Sequence, residues 1–253
     1  MPGIPKVIHQ IYFGGESAVR EDYRRYRETW LTNHPTWTHR FWDAGQCRRL
    51  VADHYTWFLP VYDAYAHRVQ RCDAVRYFIL HRYGGLYVDM DIESLKPVDD
   101  LVDACDLLLS ENVAGYTNAI MGSVAGHALW PRVYDTMTQR AERPPFSLAK
   151  VGQQGTPHYI CRSTGPLLLS DCVRDGHFDR QPGVRLCPGY VFEPLATHME
   201  NGRPVRGSDT SRSYAIHHMT MHWLPPVNRL ADALFQPLAK LFWGVKRLRA
   251  RFS

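Results

Sequence analysis

Hydrophobic and polar positions alternate with a changing period along the first half of the chain. Residues 4–13 form a mostly apolar run, typical of a strand, that ends at Gly14 and Gly15. Helical spacing then predicts a helix over residues 17–33, and a second short strand follows over residues 39–42. The chain therefore opens as strand, helix and strand, the order of an α/β domain.

The same alternation continues through the middle of the chain. Two helices are predicted over residues 46–59 and 61–82, separated at Pro60, and Gly84-Gly85 ends the second. The other predicted elements are strands over 86–91, 105–110 and 189–193, helices over 126–141 and 165–174, and loops over 112–124 and 144–164. This order indicates an α/β fold with a mostly parallel sheet, in which ligands bind at the carboxyl ends of the strands.

Composition is that of a globular protein. The 253 residues suffice for one sizeable domain and a short appendage, predicted at 1–223 and 224–253. The formal net charge of +5 is small and dispersed, and it argues against a nucleic-acid partner. None of the six cysteines forms a C-x-x-C pair, and the sequence shows no signal-peptide pattern and no membrane-spanning apolar run. We therefore expect a cytoplasmic protein with reduced thiols.

The predicted strand 86–91 ends in an acidic triplet, Asp89-Met90-Asp91. Because side chains alternate between the two faces of a strand, Asp89 and Asp91 point the same way, opposite Met90. Two such close carboxylates raise each other's pKa unless a cation compensates, and oxygen ligands suit Mg²⁺ or Mn²⁺. A D-x-D pattern alone is common by chance, so the neighbouring residues must show whether this one is a metal site.

The preceding helix carries a second charged group. Asp73, Arg76 and Tyr77 lie at positions i, i+3 and i+4 and share one helix face. Taken alone, an Asp-Arg pair at this spacing is more often a solvent-exposed surface pair. Followed by Gly84-Gly85, an apolar strand and the acidic triplet, it becomes part of a specific pattern.

This unit, residues 69–101, closely resembles glycosyltransferase family 32 and, more distantly, the glucosyltransferase domains of large clostridial toxins. The other segments that carry the resemblance are IPKVIHQIYFG at the start, NHPTWTHRFWD at 33–43, Asn118 before AIMGS, Thr164-Gly165-Pro166, and AIHHMTMHW at 215–223. The resemblance implies a GT-A fold with a Rossmann-like nucleotide-sugar-binding domain. It also implies a nucleotide-sugar donor, a divalent cation (Mn²⁺ or Mg²⁺) and transfer with retention of anomeric configuration.

The resemblance further implies roles for individual residues. Asp73 and Arg76 should contact the donor sugar and its phosphates. Asp89 should lie near the ribose and sugar hydroxyls and, with Asp91, form the carboxylate part of the metal site. The residues expected near the nucleotide-sugar are Ile8, His9, Gln10, Tyr77, Asn118 and Trp223.

Three histidines lie within residues 217–222, directly before Trp223. Histidine is a common metal ligand and can donate to a diphosphate, although a histidine in an apolar stretch often has only a structural role. The family usually has Ser where this chain has His222, so the role of His222 stays open. We predict that His217 or His218 joins the triplet as a metal ligand.

Residues 229–252 predict a basic amphipathic helix. Apolar residues recur at helical spacing, and lysines and arginines crowd its end. Such a helix can lie on an anionic membrane surface or pack against the domain with its charges solvated. The membrane-bound arrangement predicts peripheral contact with the inner face of the membrane, where a lipid-linked acceptor would lie.

Together the patterns and the resemblance predict a retaining, metal-dependent glycosyltransferase. It would move a hexose from GDP-mannose or a UDP-hexose to a glycan or lipid-linked acceptor in surface polysaccharide synthesis. A glycoside hydrolase also needs two carboxylates, but these normally come from separate elements. The sequence is also compatible with a non-catalytic sugar-nucleotide-binding module and with an effector that glycosylates host proteins.

Overall fold

The computed structural model describes residues 3–112, 115–141, 156–200, 203–206 and 209–220. Its helices are α1 (Glu21–Asn33), α2 (Ala44–His54), α3 (Leu59–Ala64), α4 (Arg68–Tyr83), α5 (Asp99–Val102), α6 (Leu129–Ala141), α7 (Thr156–Ser163) and α8 (Pro166–Asp175). Its strands are β1 (Val7–Ile11), β2 (Thr38–Trp42), β3 (Gly85–Val88), β4 (Ile92–Ser94), β5 (Leu107–Asn112), β6 (Gly115–Ser123), β7 (Val184–Cys187), β8 (Thr197–Glu200), β9 (Arg203–Arg206) and β10 (Ala215–His217).

A six-stranded sheet forms the centre of the fold, in the order β2-β1-β3-β6-β5-β7. Strand β1 runs parallel to β2 and β3, and β5 runs parallel to β7. Strand β6 pairs antiparallel with both β3 and β5 and is therefore the reversed strand of this sheet. The predicted α/β class with a mostly parallel sheet is confirmed.

Apolar side chains cover both faces of the central sheet. Tyr87 and Leu107 pack with α2, α4, α6 and α8 on one face. Leu86 and Leu108 pack on the other face, with Trp30 of α1 and with α5. Neighbours along one strand thus enter opposite apolar clusters, as the period of two requires. Burial of both faces explains why these strands appear in the sequence as nearly continuous hydrophobic runs.

Local capping, rather than Pro60, sets the boundaries of the helices before the site. The Asp43 carboxylate accepts a hydrogen bond from the Gln46 N–H, and the Gln46 side chain accepts one from the Asp43 N–H, so α2 begins here. The predicted break at Pro60 is wrong. Pro60 lies in the first turn of α3, where its missing N–H needs no partner. The predicted helix 46–59 instead ends early, because α2 stops at His54, and a second break follows at Tyr65, before His67 caps α4.

Three predicted segments differ from the structure. The loop predicted over 144–164 contains the helix α7 over Thr156–Ser163. The sequence predicts a loop over residues 112–124, but β6 occupies most of this range and lies inside the sheet. Its polar Thr117 and Asn118 interrupt the apolar pattern by which a central strand is recognised. The strand predicted over 189–193 is a short 3-10 turn, and β7 ends earlier because Pro188 follows it.

The compact unit that carries these elements ends at His218. Within the described part of the chain, we find no helix that combines the length and the apolar character needed to cross a bilayer. The predicted boundary between 223 and 224 and the predicted helix over 229–252 lie outside the described residues. Both stay predictions.

Candidate active site

The acidic triplet forms a turn, not the end of a strand. Strand β3 stops at Val88, and the Ile92 N–H donates to the Asp89 carbonyl across 3.2 Å. Met90 is buried in a small apolar cluster with Tyr23 of α1. The predicted strand 86–91 is therefore too long by three residues. The chain turns at residues 89–92, and in this turn the Met90 side chain packs against α1. This turn, rather than strand alternation, brings the two carboxylates together.

Strand β10 brings His217 to this turn. It pairs antiparallel with β4, so that His217 lies opposite Ile92, and the His218 N–H donates to the Asp91 carbonyl at 2.9 Å. His217 Nε2 lies 3.3 Å from Asp91 Oδ1. One ligand atom from each of Asp89, Asp91 and His217 lies within 4.8 Å of the others. Of the two histidines considered from the sequence, the structure brings His217 to both carboxylates.

This cluster, which we call the metal cluster (Asp89, Asp91 and His217), fits a divalent cation. Carboxylate oxygens and an imidazole nitrogen are ligands that suit Mn²⁺, and carboxylates also suit Mg²⁺. Burial lowers the pKa of His217, but hydrogen bonds to Asp91 and Glu193 outweigh it and raise the pKa to about 10. A bound cation would take the place of that proton, because a ligating imidazole must be neutral.

A buried ion network lies beside the metal cluster. Arg76 Nη2 lies 2.8 Å from Asp73 Oδ1 and 3.3 Å from Asp89 Oδ1. Arg76 Nη1 donates to the Asn118 carbonyl at 2.6 Å. The side chains of Arg76 and Asp73 are 5% and 8% exposed. The interpretation as a solvent-exposed surface pair is therefore wrong.

The charges in this network depend on Arg76. Burial raises the pKa of Asp73 to about 6, although Arg76 acts in the opposite direction. Burial also raises the pKa of Asp89, and Arg76 again opposes it. The Tyr87 hydroxyl donates to Asp89 Oδ1, and the Arg76 guanidinium lies 4.6 Å from the centre of the Tyr87 ring. Asp89 is thus fixed by two neighbours, one cationic and one neutral.

Asn118 and Thr164 complete the contacts of Asp73. Asn118 Nδ2 donates to Asp73 Oδ1 at 3.3 Å, and Thr164 Oγ1 donates to Asp73 Oδ2 at 3.3 Å. Tyr77 is fully buried, and its hydroxyl donates to the Thr164 carbonyl at 2.8 Å. The structure therefore brings Asn118 to the carboxylates, whereas Tyr77 supports the segment that carries Thr164.

The three candidates on β1 have different surroundings. Ile8 is buried in an apolar cluster. Trp42 Nε1 donates to His9 Nδ1 at 3.2 Å, so His9 Nε2 carries the proton and donates to the Gly84 carbonyl at 2.9 Å. Gln10 is 3% exposed, and within the described ranges its Nε2 has no hydrogen-bond partner. The expected contacts of these residues with a nucleotide stay predictions. Both His9 nitrogens already have partners, so among these three side chains Gln10 is the best candidate to donate a hydrogen bond to a nucleotide.

Acidification should destabilise the protein partly through His9. Burial lowers the pKa of His9 to about 4, whereas an unfolded histidine has a pKa of about 6.5. The unfolded state therefore takes up a proton first as the pH falls. Stability should be full above pH 6.5 and should fall by up to about 3 kcal/mol as the pH drops to 4. Urea denaturation at pH 7, 5 and 4 measures this loss, which should be smaller in His9→Gln.

The exposed His54 supplies the control for that experiment. His54→Gln makes the same replacement at an exposed position and should lose as much stability between pH 7 and pH 4 as the wild-type protein. Equal losses of stability in the wild type and in His9→Gln between pH 7 and pH 4 would contradict the role given to His9.

The remaining C-terminal candidates either contribute no ligand atom to the metal cluster or lie beyond the described residues. The His218 ring stacks on Tyr26 with 4.2 Å between ring centres, and its Nε2 lies 2.9 Å from Glu93 Oε2. His218 is therefore engaged by other groups. His222 and Trp223 lie outside the described residues.

Three residues of the site were not among the predicted site residues: Thr164, which the sequence marks only within a segment that carries the resemblance, Glu193 and Tyr87. Glu193 Oε1 lies 3.1 Å from His217 Nδ1, and the Glu193 side chain is 2% exposed. No local pattern marks this glutamate. Tyr87 could have been found, because it lies two residues before Asp89 and therefore on the same face of β3.

Similarities to known proteins agree with this geometry. Residues 20–108 match the family described as the glycosyltransferase sugar-binding region containing the DXD motif. Inositol phosphoceramide mannosyltransferase 2 of Schizosaccharomyces pombe is 33% identical over 170 residues, which cover 67% of this chain and 46% of that protein. Mannosyl phosphorylinositol ceramide synthase CSH1 of Saccharomyces cerevisiae is 32% identical, over 66% of this chain and 42% of that protein. The chain thus spans less than half the length of these two relatives.

Solved structures show the same fold. The UDP-bound glycosyltransferase domain of the YGT toxin has a TM-score of 0.58 and 8% identity, over 85% of this chain and 83% of that one. The PaToxG glycosyltransferase has a TM-score of 0.52 and 13% identity, over 69% of this chain and 70% of that one. At such identities the likeness shows the fold alone, and it confirms the predicted GT-A type.

Proposed function

Because this chain belongs to the glycosyltransferases whose sugar-binding region contains the DXD motif, we propose that it transfers a hexose from a nucleotide-sugar to a glycan or lipid-linked acceptor. The observation that carries the proposal is the metal cluster, whose three ligand atoms lie within 4.8 Å of one another. The transfer depends on Mn²⁺ or Mg²⁺ and retains the anomeric configuration of the sugar.

The relatives give the first choice of substrates. One fungal relative is named as an inositol phosphoceramide mannosyltransferase and the other as a mannosyl phosphorylinositol ceramide synthase. GDP-mannose is therefore the first donor to test, followed by the UDP-hexoses. A lipid with an inositol phosphate head group is the first acceptor. Peripheral contact with a membrane through residues 229–252 and a cytoplasmic location stay predictions.

The residues divide the work of the reaction. Asp89, Asp91 and His217 would hold the cation, which when bound neutralises the negative charge that grows on the leaving diphosphate. Asp73 and Asn118 lie beside them and bind hydroxyls of the donor sugar. Arg76 has nitrogens engaged by Asp73, Asp89 and the Asn118 carbonyl. It fixes these carboxylates, and its expected contact with the donor sugar and phosphates stays a prediction.

Release of nucleoside diphosphate from a donor panel tests the proposal. The purified protein is stripped of metal with EDTA and incubated with GDP-mannose or UDP-hexoses, with and without Mn²⁺. We expect slow hydrolysis of one donor that requires the added metal and accelerates with the acceptor. The anomeric signals of the product in an NMR spectrum show whether configuration is retained.

Two outcomes would contradict this function. If no donor is turned over and none binds in calorimetry, the protein is not a transferase for these donors. If sugar is released from a glycan without any nucleotide donor, the protein is a hydrolase. Metal-dependent donor binding without turnover on any acceptor would instead support a non-catalytic module.

A further inference from the structure

The imidazole of His217 lies between two carboxylates. Its Nε2 is 3.3 Å from Asp91 Oδ1, and its Nδ1 is 3.1 Å from Glu193 Oε1. The two nitrogens lie on different edges of the ring, so the two carboxylates approach it from different sides. Asp91 belongs to the metal cluster and faces Nε2, whereas Glu193 faces Nδ1, the other ring nitrogen.

Glu193 is held firmly in this position. Its side chain is 2% exposed. Its N–H donates to the Gly189 carbonyl at 2.7 Å, and its carbonyl accepts from the Ala196 N–H at 3.1 Å. The neighbouring Phe192 is fully buried, and its carbonyl accepts from the His217 N–H at 3.0 Å. The 192–193 segment thus binds both the backbone and the side chain of His217.

A carboxylate in this place determines which imidazole nitrogen faces the metal cluster. A buried carboxylate is costly unless it is hydrogen-bonded, and Glu193 obtains its bond from His217 Nδ1–H. With the proton on Nδ1, the lone pair of Nε2 is directed at the cluster. Carboxylates that hold the far nitrogen of a metal-binding histidine raise its basicity and fix its orientation.

We infer that Glu193 is a positioning residue that holds His217 with Nε2 directed at the divalent cation. It does not touch the cation or the donor and acts through His217. The inference rests on the metal dependence in the proposed function, but it can be tested without sugar transfer.

The adjacent histidine provides a matched control. His218 Nε2 lies 2.9 Å from Glu93 Oε2, so His218 also has a carboxylate partner. Its ring stacks on Tyr26 and, among the described residues, His218 is not part of the metal cluster. Removal of the Glu93 charge therefore changes a histidine–carboxylate pair of the same kind and leaves His217 untouched.

Mn²⁺ binding to the full chain tests this assignment. Free Mn²⁺ is measured by electron paramagnetic resonance during titration, with the metal alone and with GDP present. Glu193→Gln should weaken Mn²⁺ binding about 10- to 100-fold. Glu93→Gln should keep the wild-type affinity. Circular dichroism and thermal melting establish that both variants are folded.

Several results would overturn the assignment. Wild-type Mn²⁺ affinity in folded Glu193→Gln overturns it, and so does an equal loss in Glu93→Gln. A wild-type protein that binds no Mn²⁺ with GDP overturns it together with the metal dependence of the function. If no donor is turned over but Glu193→Gln alone loses affinity, the positioning role stands and only the transfer function fails.

A second measurement needs no Glu193 variant and decides the case if Glu193→Gln does not fold. Nitrogen-15 NMR of the wild-type histidines, with Zn²⁺ as a diamagnetic probe, reports which ring nitrogen is protonated. In the Zn²⁺-bound protein, His217, assigned with His217→Asn, should carry its proton on Nδ1 and bind Zn²⁺ through Nε2. A Zn²⁺-bound state in which Nδ1 is the ligand and Nε2 is protonated would overturn the inference.

Discussion

Asp91→Asn should abolish sugar transfer, with kcat/KM lowered by about a thousandfold, the larger effect expected when one charge-stabilising group is removed from an active site. Asn has the size of Asp but lacks its charge. The variant therefore loses a ligand of the cation without leaving a cavity. Because the Asp91 side chain is only 13% exposed and lies 3.3 Å from His217, loss of this charge-assisted contact should lower stability by about 1.5–3 kcal/mol. His217 keeps Glu193 as a charged partner, so the variant should still fold. Release of nucleoside diphosphate and thermal melting measure the two effects.

Asp53→Asn is the matched control for that variant. Asp53 is exposed, and the same change of charge there should leave transfer and Tm unchanged. Mn²⁺ affinity should fall in Asp91→Asn and stay constant in Asp53→Asn. A folded Asp91→Asn protein with full activity would falsify the role of the metal cluster.

Arg76→Met should be the most destabilising of the substitutions considered, at about 3–5 kcal/mol, because it leaves the buried Asp73 and the partly buried Asp89 without their cation. Asp73 and Asp89 both lie within 3.3 Å of Arg76 Nη2. Methionine fills much of the space of the arginine stem but supplies no charge. Urea denaturation at pH 7 measures the loss in the free energy of unfolding.

Arg48→Met separates this effect from the general cost of losing an arginine. Arg48 Nη2 lies 2.7 Å from Asp63 Oδ2, but the two side chains are 55% and 40% exposed. An exposed pair contributes only about 0–1 kcal/mol. The Arg76→Met deficit should also shrink as the pH falls towards 5, because Asp73, whose pKa is already raised to about 6, then becomes neutral. Equal losses in the two variants at pH 7 would contradict the burial argument.

The elements around the site could be predicted where the pattern is local. Alternation over Leu86 and Val88 predicts β3, and Gly84-Gly85 marks the end of α4. Spacing also places Asp73 and Arg76 on one helix face. Whether that face is exposed could not be derived from spacing, since burial of the pair depends on β6 and Thr164, which lie far away in sequence.

The same limit explains what the sequence did not predict at the site. Asn118 in strand β6 is polar because its side-chain amide donates to Asp73, and this polar position interrupts the apolar strand pattern. Glu193 lies 24 residues before His217 in sequence and meets it only in the folded structure, so no local motif predicts this contact. The acidic triplet was found because both of its carboxylates are neighbours in sequence.

The pairing of β4 with β10 has a consequence for how metal binding and folding are coupled. This ribbon has only three residues in each strand and lies outside the six-stranded sheet. Its Ile92 and Ala215 are nevertheless fully buried in the apolar cluster that contains Leu86 of the central sheet. His217 is therefore carried by an element that is part of the core. A cation held by the metal cluster would bind only the folded arrangement, and by mass action it should stabilise the domain as a whole.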